Sequence, residues 1–280
     1  MTRIKQAQNS IPELCDLISL VKQASKQIIS RDRVSLETDL KRDGGLVTEV
    51  DEGMQALLKD QLESRWPNYG FIGEEMTYDE QVRVCEEYES GYWVLDPLDG
   101  TTNFISGFLF FGVSLALVIN GSPVLAVIYD PVRDECFSAQ EGCGAYLNGQ
   151  RLKTPSTDSL DNCIANIDYK RLVGDLSSQL VRCPPYRSQR NLGSSVLEWC
   201  WLASGRIQLY LHGGQKLWDF AAGYLILLEA GGAATSLSGL PLDCTNLRKR
   251  SVVAAVNAGL LEKWEKWIDD NSQISQSAPF

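Results

Sequence analysis

The sequence predicts a mixed α and β protein organised in two halves, residues 1–150 and 151–280. Apolar residues at three- and four-residue spacing mark amphipathic helices near the start. A run of apolar β-formers broken by Asn-Gly and Asp-Pro pairs marks a strand meander in the first half. The second half then alternates short apolar runs with helical patterns.

The elements follow in order. Residues 11–31 place Leu14, Leu17, Ile18, Val21, Ile28 and Ile29 on one helical face. Lys41 to Gly45 is a polar loop. A second helix runs from about Val50 to Glu63, with Met54, Leu57, Leu58 and Leu62 inward. Residues 69–73 form a short strand ending at Glu74-Glu75. The acidic stretch with Asp79, Glu80, Glu86, Glu87 and Glu89 reads as a solvated loop, with a lid as the other option. Tyr92 to Leu95 is a buried strand. Phe111 to Ile119, Val124 to Tyr129 and Glu135 to Ala139 form the meander, with turns at Asn120-Gly121, Asp130-Pro131 and Asn148-Gly149. Residues 150–162 are polar and mark the boundary between the halves.

In the second half, Ile164 to Ile167 and Ile207 to Leu211 read as strands. Ser194 caps a helix reaching Ser204. A helix from Asp219 to Ala230 stops at Gly231-Gly232. Val252 to Val256 is a strand, Leu260 to Asp269 a final helix, and the last ten residues are polar and loose. Trp199, Trp201, Trp264 and Trp267 cover core or a subunit contact.

Bulk properties narrow the chemistry. The chain has 280 residues and a net charge of −10, which disfavours nucleic acid and anionic membranes as partners. No apolar run approaches the ~20 residues of a membrane span, and the N-terminus lacks a signal-peptide core. The eight cysteines include no Cys-x-x-Cys pair, and without a secretory signal they read as reduced cytoplasmic thiols. There is one histidine, His212, so a multi-histidine metal site is excluded. A catalytic metal would have to rely on carboxylates and carbonyls, which favours Mg²⁺ or Mn²⁺ over Zn²⁺ or Cu²⁺.

The most informative segment is Asp96-Pro97-Leu98-Asp99-Gly100-Thr101-Thr102-Asn103-Phe104, at the end of a buried strand. Pro97 stiffens the backbone between the two carboxylates, and Gly100 permits a tight turn close to a ligand. Amides at Gly100 and Thr101 could bind phosphate oxygens. The same composition also suits a plain turn. Three other segments carry acids: Gly73-Glu74-Glu75, Thr48-Glu49-Val50-Asp51, and Trp218-Asp219-Phe220-Ala221-Ala222-Gly223. Singly, Asp219 fits a helix cap, Thr48 with Asp51 a capping box, and Glu75 a solvated surface acid.

Together, the segments around Glu74, Asp96 and Asp219 resemble the inositol monophosphatase family of metal-dependent, lithium-sensitive sugar phosphatases, across about residues 10–265. The resemblance implies a layered α-β-α-β-α sandwich, a small phosphate ester as substrate, and a homodimer. It implies two or three Mg²⁺ ions, with Mn²⁺ as a substitute. Glu74, Asp96 and the Leu98 carbonyl would hold one ion, and Asp96, Asp99 and Asp219 a second. Glu74 would also touch a third. Thr101, bonded to Asp51, would orient and help deprotonate the attacking water with Glu74, and Glu75 would support the ligands from behind. Metals at such a site acidify water, clamp phosphate oxygens and stabilise the leaving alkoxide.

Arg190 to Ser195 resembles the family's substrate loop, so Gly193, Ser194 and Ser195 join Asp99, Gly100, Thr101 and Asp219 as expected substrate contacts. Inositol-type members commonly carry Glu seven residues before the motif Asp; here that position is His212. His212 and Lys216 facing the pocket would favour a second anionic group, as in fructose 1,6-bisphosphate or a 3'-phosphoadenosine nucleotide. Thr102-Asn103 resembles the inositol and fructose-bisphosphate branches more than the nucleotidases. Inositol 1-phosphate is therefore the first expectation and a bisphosphate the second. A non-catalytic binding or regulatory protein is the alternative from another class.

Overall fold

The computed structural model describes residues 11–29, 38–40, 46–172 and 174–272. The polar loop expected at 41–45 lies outside them, as does most of the C-terminal tail. Helix α1 (Leu14–Ile29) buries Leu17, Leu20, Val21, Ala24 and Ile28. A short antiparallel pair, β1 (Thr38–Leu40) and β2 (Leu46–Thr48), leads into α2 (Glu49–Arg65), which buries Met54, Leu58 and Leu62.

Seven strands form the first sheet, in chain order across it: β3 (Gly70–Gly73), β4 (Tyr92–Asp99), β5 (Gly112–Ile119), β6 (Ser122–Asp130), β7 (Glu135–Gln140), β8 (Gly144–Leu147) and β9 (Gln150–Arg151). Only β3 and β4 pair in parallel; every later neighbour is antiparallel. A parallel pair needs a crossover. Here α3 (Tyr78–Glu87) provides it, and so corrects the solvated loop expected over the acidic stretch. Thr77 and Glu80 cap its start, and the Gln81 amide donates to the Gly73 carbonyl at 2.9 Å. Gln81 is the one residue of this helix that is fully buried, so its apolar signal is weak.

The sheet is buried on both faces, because alternate side chains point opposite ways. Trp93, Leu95, Leu115, Leu117, Leu125 and Val127 pack beneath α1 and α2. Val94, Ala116, Val118, Ala126 and Ile128 face the other way. That face meets α6 (Ser195–Ala203) and α7 (Leu217–Ala230). Gly223 allows the two helices to touch, since a Cβ there would lie 2.3 Å from Trp199 Cβ.

Behind these helices stands a five-stranded sheet of β10 (Ile164–Asp168), β11 (Ser188–Arg190), β12 (Leu209–Gln215), β13 (Ala233–Thr235) and β14 (Arg250–Ala255), in the order β11-β10-β12-β14-β13. Its far side carries α8 (Ala258–Ser272), against which α5 (Leu176–Arg182) packs. The layering is therefore α-β-α-β-α, as the resemblance implied. Trp199 and Trp264 are fully buried, and Trp201 and Trp267 partly so.

Several elements differ from their expected extents. The strand expected at 207–211 runs on through Gln215 and so carries His212. Helix α7 starts at Leu217, which makes Asp219 its third residue rather than its cap. Strands β8, β9, β11 and β13 and helix α5 escaped the sequence reading; each is short or has few buried residues. Asn120-Gly121 and Asn148-Gly149 all have positive φ, as tight hairpin turns require.

Candidate active site

The site grows from the parallel pairing of β3 and β4. Gly73 lies opposite Leu95, and the Glu74 amide donates to the Leu95 carbonyl at 3.1 Å. Glu74 and Asp96 therefore leave neighbouring strands side by side. Beyond Asp96 the β4–β5 ladder slips before Asp99 pairs with Gly112. Pro97, which has no amide hydrogen, occupies the slip. A short helix, α4 (Thr101–Ser106), follows from Gly100, whose φ of 89° suits glycine. A Cβ at Gly100 would come within 3.0 Å of the Phe110 carbonyl.

Asp219 arrives from α7, where its Oδ2 accepts from the Lys216 amide at 2.8 Å. The Asp96, Asp99 and Asp219 carboxylates converge, with one oxygen of each within 4.8 Å of the others. Both Asp99 and Asp219 keep a solvent-facing side, yet surrounding protein strongly disfavours their charged forms. Burial, followed by repulsion from Asp99 and Glu74, pushes Asp219 up to about 8. Burial also pushes Asp99 up to about 6, against bonds donated by Ser194 and Val196 and with repulsion from Glu74. An all-oxygen cluster under this much mutual repulsion fits a hard divalent cation, which would relieve it.

A hydroxyl network adjoins the cluster. Thr101 Oγ1 lies 3.1 Å from Asp51 Oδ1 and 3.1 Å from the Leu98 carbonyl. Asp51 Oδ2 accepts from the Thr48 amide at 2.8 Å and the Thr48 hydroxyl at 2.5 Å. The capping box read from the sequence thus exists, and its carboxylate also reaches Thr101. The Glu75 amide donates to Gln55 Oε1 at 3.0 Å.

Ser194 stands at the N-cap position of α6 without capping it. Its hydroxyl instead donates to Asp99 Oδ2 at 2.7 Å, beside the Val196 amide at 2.8 Å. Gly193 is exposed with φ of 78°, and Ser195 opens α6 half-buried. Asn103 ties the two loops together, its amide donating to the Phe110 and Leu192 carbonyls at 2.7 and 2.8 Å.

His212 is 4% exposed. Its Nδ1 accepts from the Gly214 amide at 3.1 Å, and its Nε2 lies 3.3 Å from Asp168 Oδ2. Burial lowers its pKa despite Asp168, which matches a neutral ring protonated on Nε2. Arg171 Nε lies 3.2 Å from the same Asp168 oxygen. Lys216 Nζ sits 5.5 Å from the centre of the Trp218 ring. Asp168 and Arg171 were missed in the sequence; the one available signal was a polar run, Asp168 to Arg171, directly after an apolar strand.

The inositol monophosphatase family model matches residues 11–269. Inositol monophosphatase 3 of Solanum lycopersicum is 37% identical over 237 residues, covering 80% of this chain and 84% of the relative. Nus factor SuhB of Xylella fastidiosa is 34% identical over 197 residues, covering 69% of each. The structure of Thermotoga maritima IMPase superposes with a TM-score of 0.80 at 26% identity, covering 94% of this chain and 99% of that one. With this fold and this acidic centre, the chain belongs to the inositol monophosphatase family and is a phosphoric monoester hydrolase.

Proposed function

We propose that the protein is a Mg²⁺-dependent phosphomonoesterase that hydrolyses a small phosphorylated polyol, with inositol 1-phosphate the leading candidate. The observation that carries this reading is the convergence of Asp96, Asp99 and Asp219 beside the Thr101–Asp51 pair. Glu74, Asp96, the Leu98 carbonyl, Asp99 and Asp219 would hold two or three Mg²⁺ ions, with Mn²⁺ able to substitute. Bound there, the cations would neutralise the carboxylates, draw in the phosphate and acidify a water.

The remaining work falls to the chain. Thr101 has one hydroxyl proton and two acceptors in reach. The Asp51 carboxylate is the stronger acceptor. With that proton committed, the Oγ1 lone pairs are available to accept from a water, aiming it at phosphorus while Glu74 takes its proton. Gly100 and Thr101 amides would meet phosphate oxygens. Ser194, by anchoring Asp99, would keep the carboxylate aligned. Residues 1–150 thus supply most of the ligands, and residues 151–280 supply Asp219 and the substrate loop.

A sugar or nucleotide bisphosphate is the second reading. Its support is the half-exposed Arg171 guanidinium beside position 212, where inositol-type members commonly carry Glu; His212 itself is buried, neutral and held by Asp168, and adds no charge for a second phosphate. A cytoplasmic homodimer belongs to the same proposal, supported by the exposed apolar side chains Ile105, Phe108 and Leu109; sedimentation would test it.

The experiment is phosphate release with Mg²⁺ from inositol 1-phosphate, fructose 1,6-bisphosphate, 3'-phosphoadenosine 5'-phosphate and glycerol 2-phosphate. A wide lead for inositol 1-phosphate supports the first reading, and a lead for a bisphosphate the second. No release with either Mg²⁺ or Mn²⁺ would overturn both.

A further inference from the structure

A buried polar chain runs behind the candidate site. Glu198, on α6, is 3% exposed. Its Oε1 accepts from the amides of both Leu192 and Gly193 at 3.0 Å. Its Oε2 accepts from the Tyr210 hydroxyl at 2.9 Å. Tyr210 in turn accepts from Gln215 Nε2 at 2.6 Å, and Gln215 Oε1 accepts from the Trp199 indole at 3.0 Å. The sequence drew no attention to Glu198, which sits in an otherwise apolar helix.

Burying a carboxylate is costly unless its hydrogen bonds are satisfied. Burial pushes Glu198 up to about 7 even with donors from Tyr210 and Leu192. A well-packed apolar residue would serve a merely structural helix at less cost. What Glu198 does that an apolar residue cannot is hold two consecutive amides of the loop that ends in Ser194. That loop bonds Asp99 through Ser194, beside the Val196 amide of α6, and accepts Asn103 through Leu192. The other end of the chain, Gln215, immediately precedes Lys216, whose amide bonds Asp219.

We infer that Glu198 is a positioning residue: its carboxylate sets the 192–194 loop against Asp99, and through it the geometry with which Asp99 and Asp219 take a divalent cation. This rests on the phosphatase reading for its purpose, but not for its test. Removing a group bonded directly to a metal ligand, as Ser194 is to Asp99, typically costs about 10–100-fold in metal affinity; Glu198 acts through that group, which sets the lower end of the range as its expected effect.

The test compares wild type, Glu198→Gln, Glu198→Ala and Tyr210→Phe. Mg²⁺ binding would be measured by calorimetry, and amide hydrogen exchange at Leu192 and Gly193 in the metal-free proteins. Glu198→Ala should raise the Mg²⁺ Kd by about 10-fold and speed exchange at both amides. Glu198→Gln keeps one carbonyl for the loop amides and should recover much of the affinity. Tyr210→Phe removes the donor to Oε2 and the acceptor of Gln215 while leaving the loop bonds in place, and should have a smaller effect. If Glu198→Ala fails to fold, Glu198→Gln decides the matter, because it should still weaken Mg²⁺ binding and speed loop exchange measurably against wild type. Unchanged Mg²⁺ affinity and loop exchange in the folded variants, or wild type that binds no Mg²⁺, would overturn the inference. Wild type that binds Mg²⁺ but releases no phosphate would sink the phosphatase reading alone.

Discussion

The Ser194 hydroxyl donates to Asp99 Oδ2 at 2.7 Å, joining residues 95 positions apart. One end of this bond belongs to the strand end of the first sheet and the other to the helix between the sheets. It is the most direct link between the acidic centre and the substrate loop. Ser194→Ala should leave a buried carboxylate short of a donor. The expected result is a weaker Mg²⁺ dependence curve, shifted to higher concentration, with kcat at saturating Mg²⁺ reduced less. An unchanged half-saturating Mg²⁺ concentration would contradict it.

The acidic cluster makes metal-free stability depend on pH. Asp219 is raised from an ordinary carboxylate value to about 8. A raised acid binds protons more tightly in the folded state. Its contribution is full below the unfolded value and is lost as pH rises toward 8. The metal-free protein should therefore lose stability between pH 5 and pH 8. A bound cation favours the ionised forms, so the Mg²⁺-induced rise in Tm should grow over the same range. Each 1 kcal/mol corresponds to about 2–4 °C. Melting curves with Mg²⁺ and with a chelator at both pH values check this; an equal Mg²⁺ increment at both would refute it.

Asp219→Asn removes a charge from the repulsive cluster and keeps the shape. The metal-free variant should melt no lower than wild type at pH 8, while turnover falls about 10²–10³-fold, the loss typical of removing one preorganised electrostatic group. Scanning calorimetry beside phosphate release separates the two effects.

Thr101→Val deletes the hydroxyl that bridges toward Asp51. Positioned proton transfer contributes about 10²–10⁴-fold to turnover. The kcat should drop into that range with Mg²⁺ affinity nearly unchanged, and Thr101→Ser should restore most of it. Equal loss in Thr101→Ser would point to packing of the methyl group instead.

Gly223→Ala should lower stability by about 1–3 kcal/mol, the usual cost of overpacking, because the new methyl would meet Trp199. Gly213→Ala should act differently: its Cβ would fall 1.6 Å from the Arg171 carbonyl. It should displace the Arg171 segment and alter substrate preference more than overall melting. A panel assay showing the wild-type order of substrates would reject that.

Much of this was legible in the sequence. The spacing of Leu17, Val21 and Ile28 and of Met54, Leu58 and Leu62 gave away α1 and α2, because each buries one stripe. Asn-Gly pairs revealed two hairpins, because few other residues accept positive φ there. Segment α3 was hidden, because a helix whose sole fully buried residue is a glutamine shows almost no apolar period.

The sequence by itself determined the family, the layered fold and the residue types that can serve a hard cation, since each rests on local pattern and side-chain chemistry. The tertiary structure alone decided that Ser194 serves Asp99 instead of its helix, that His212 is spoken for by Asp168, and that Glu198 holds the loop amides. Those contacts join residues distant in the chain, and only the pairing of strands and the stacking of the two sheets brings their polar atoms into bonding distance.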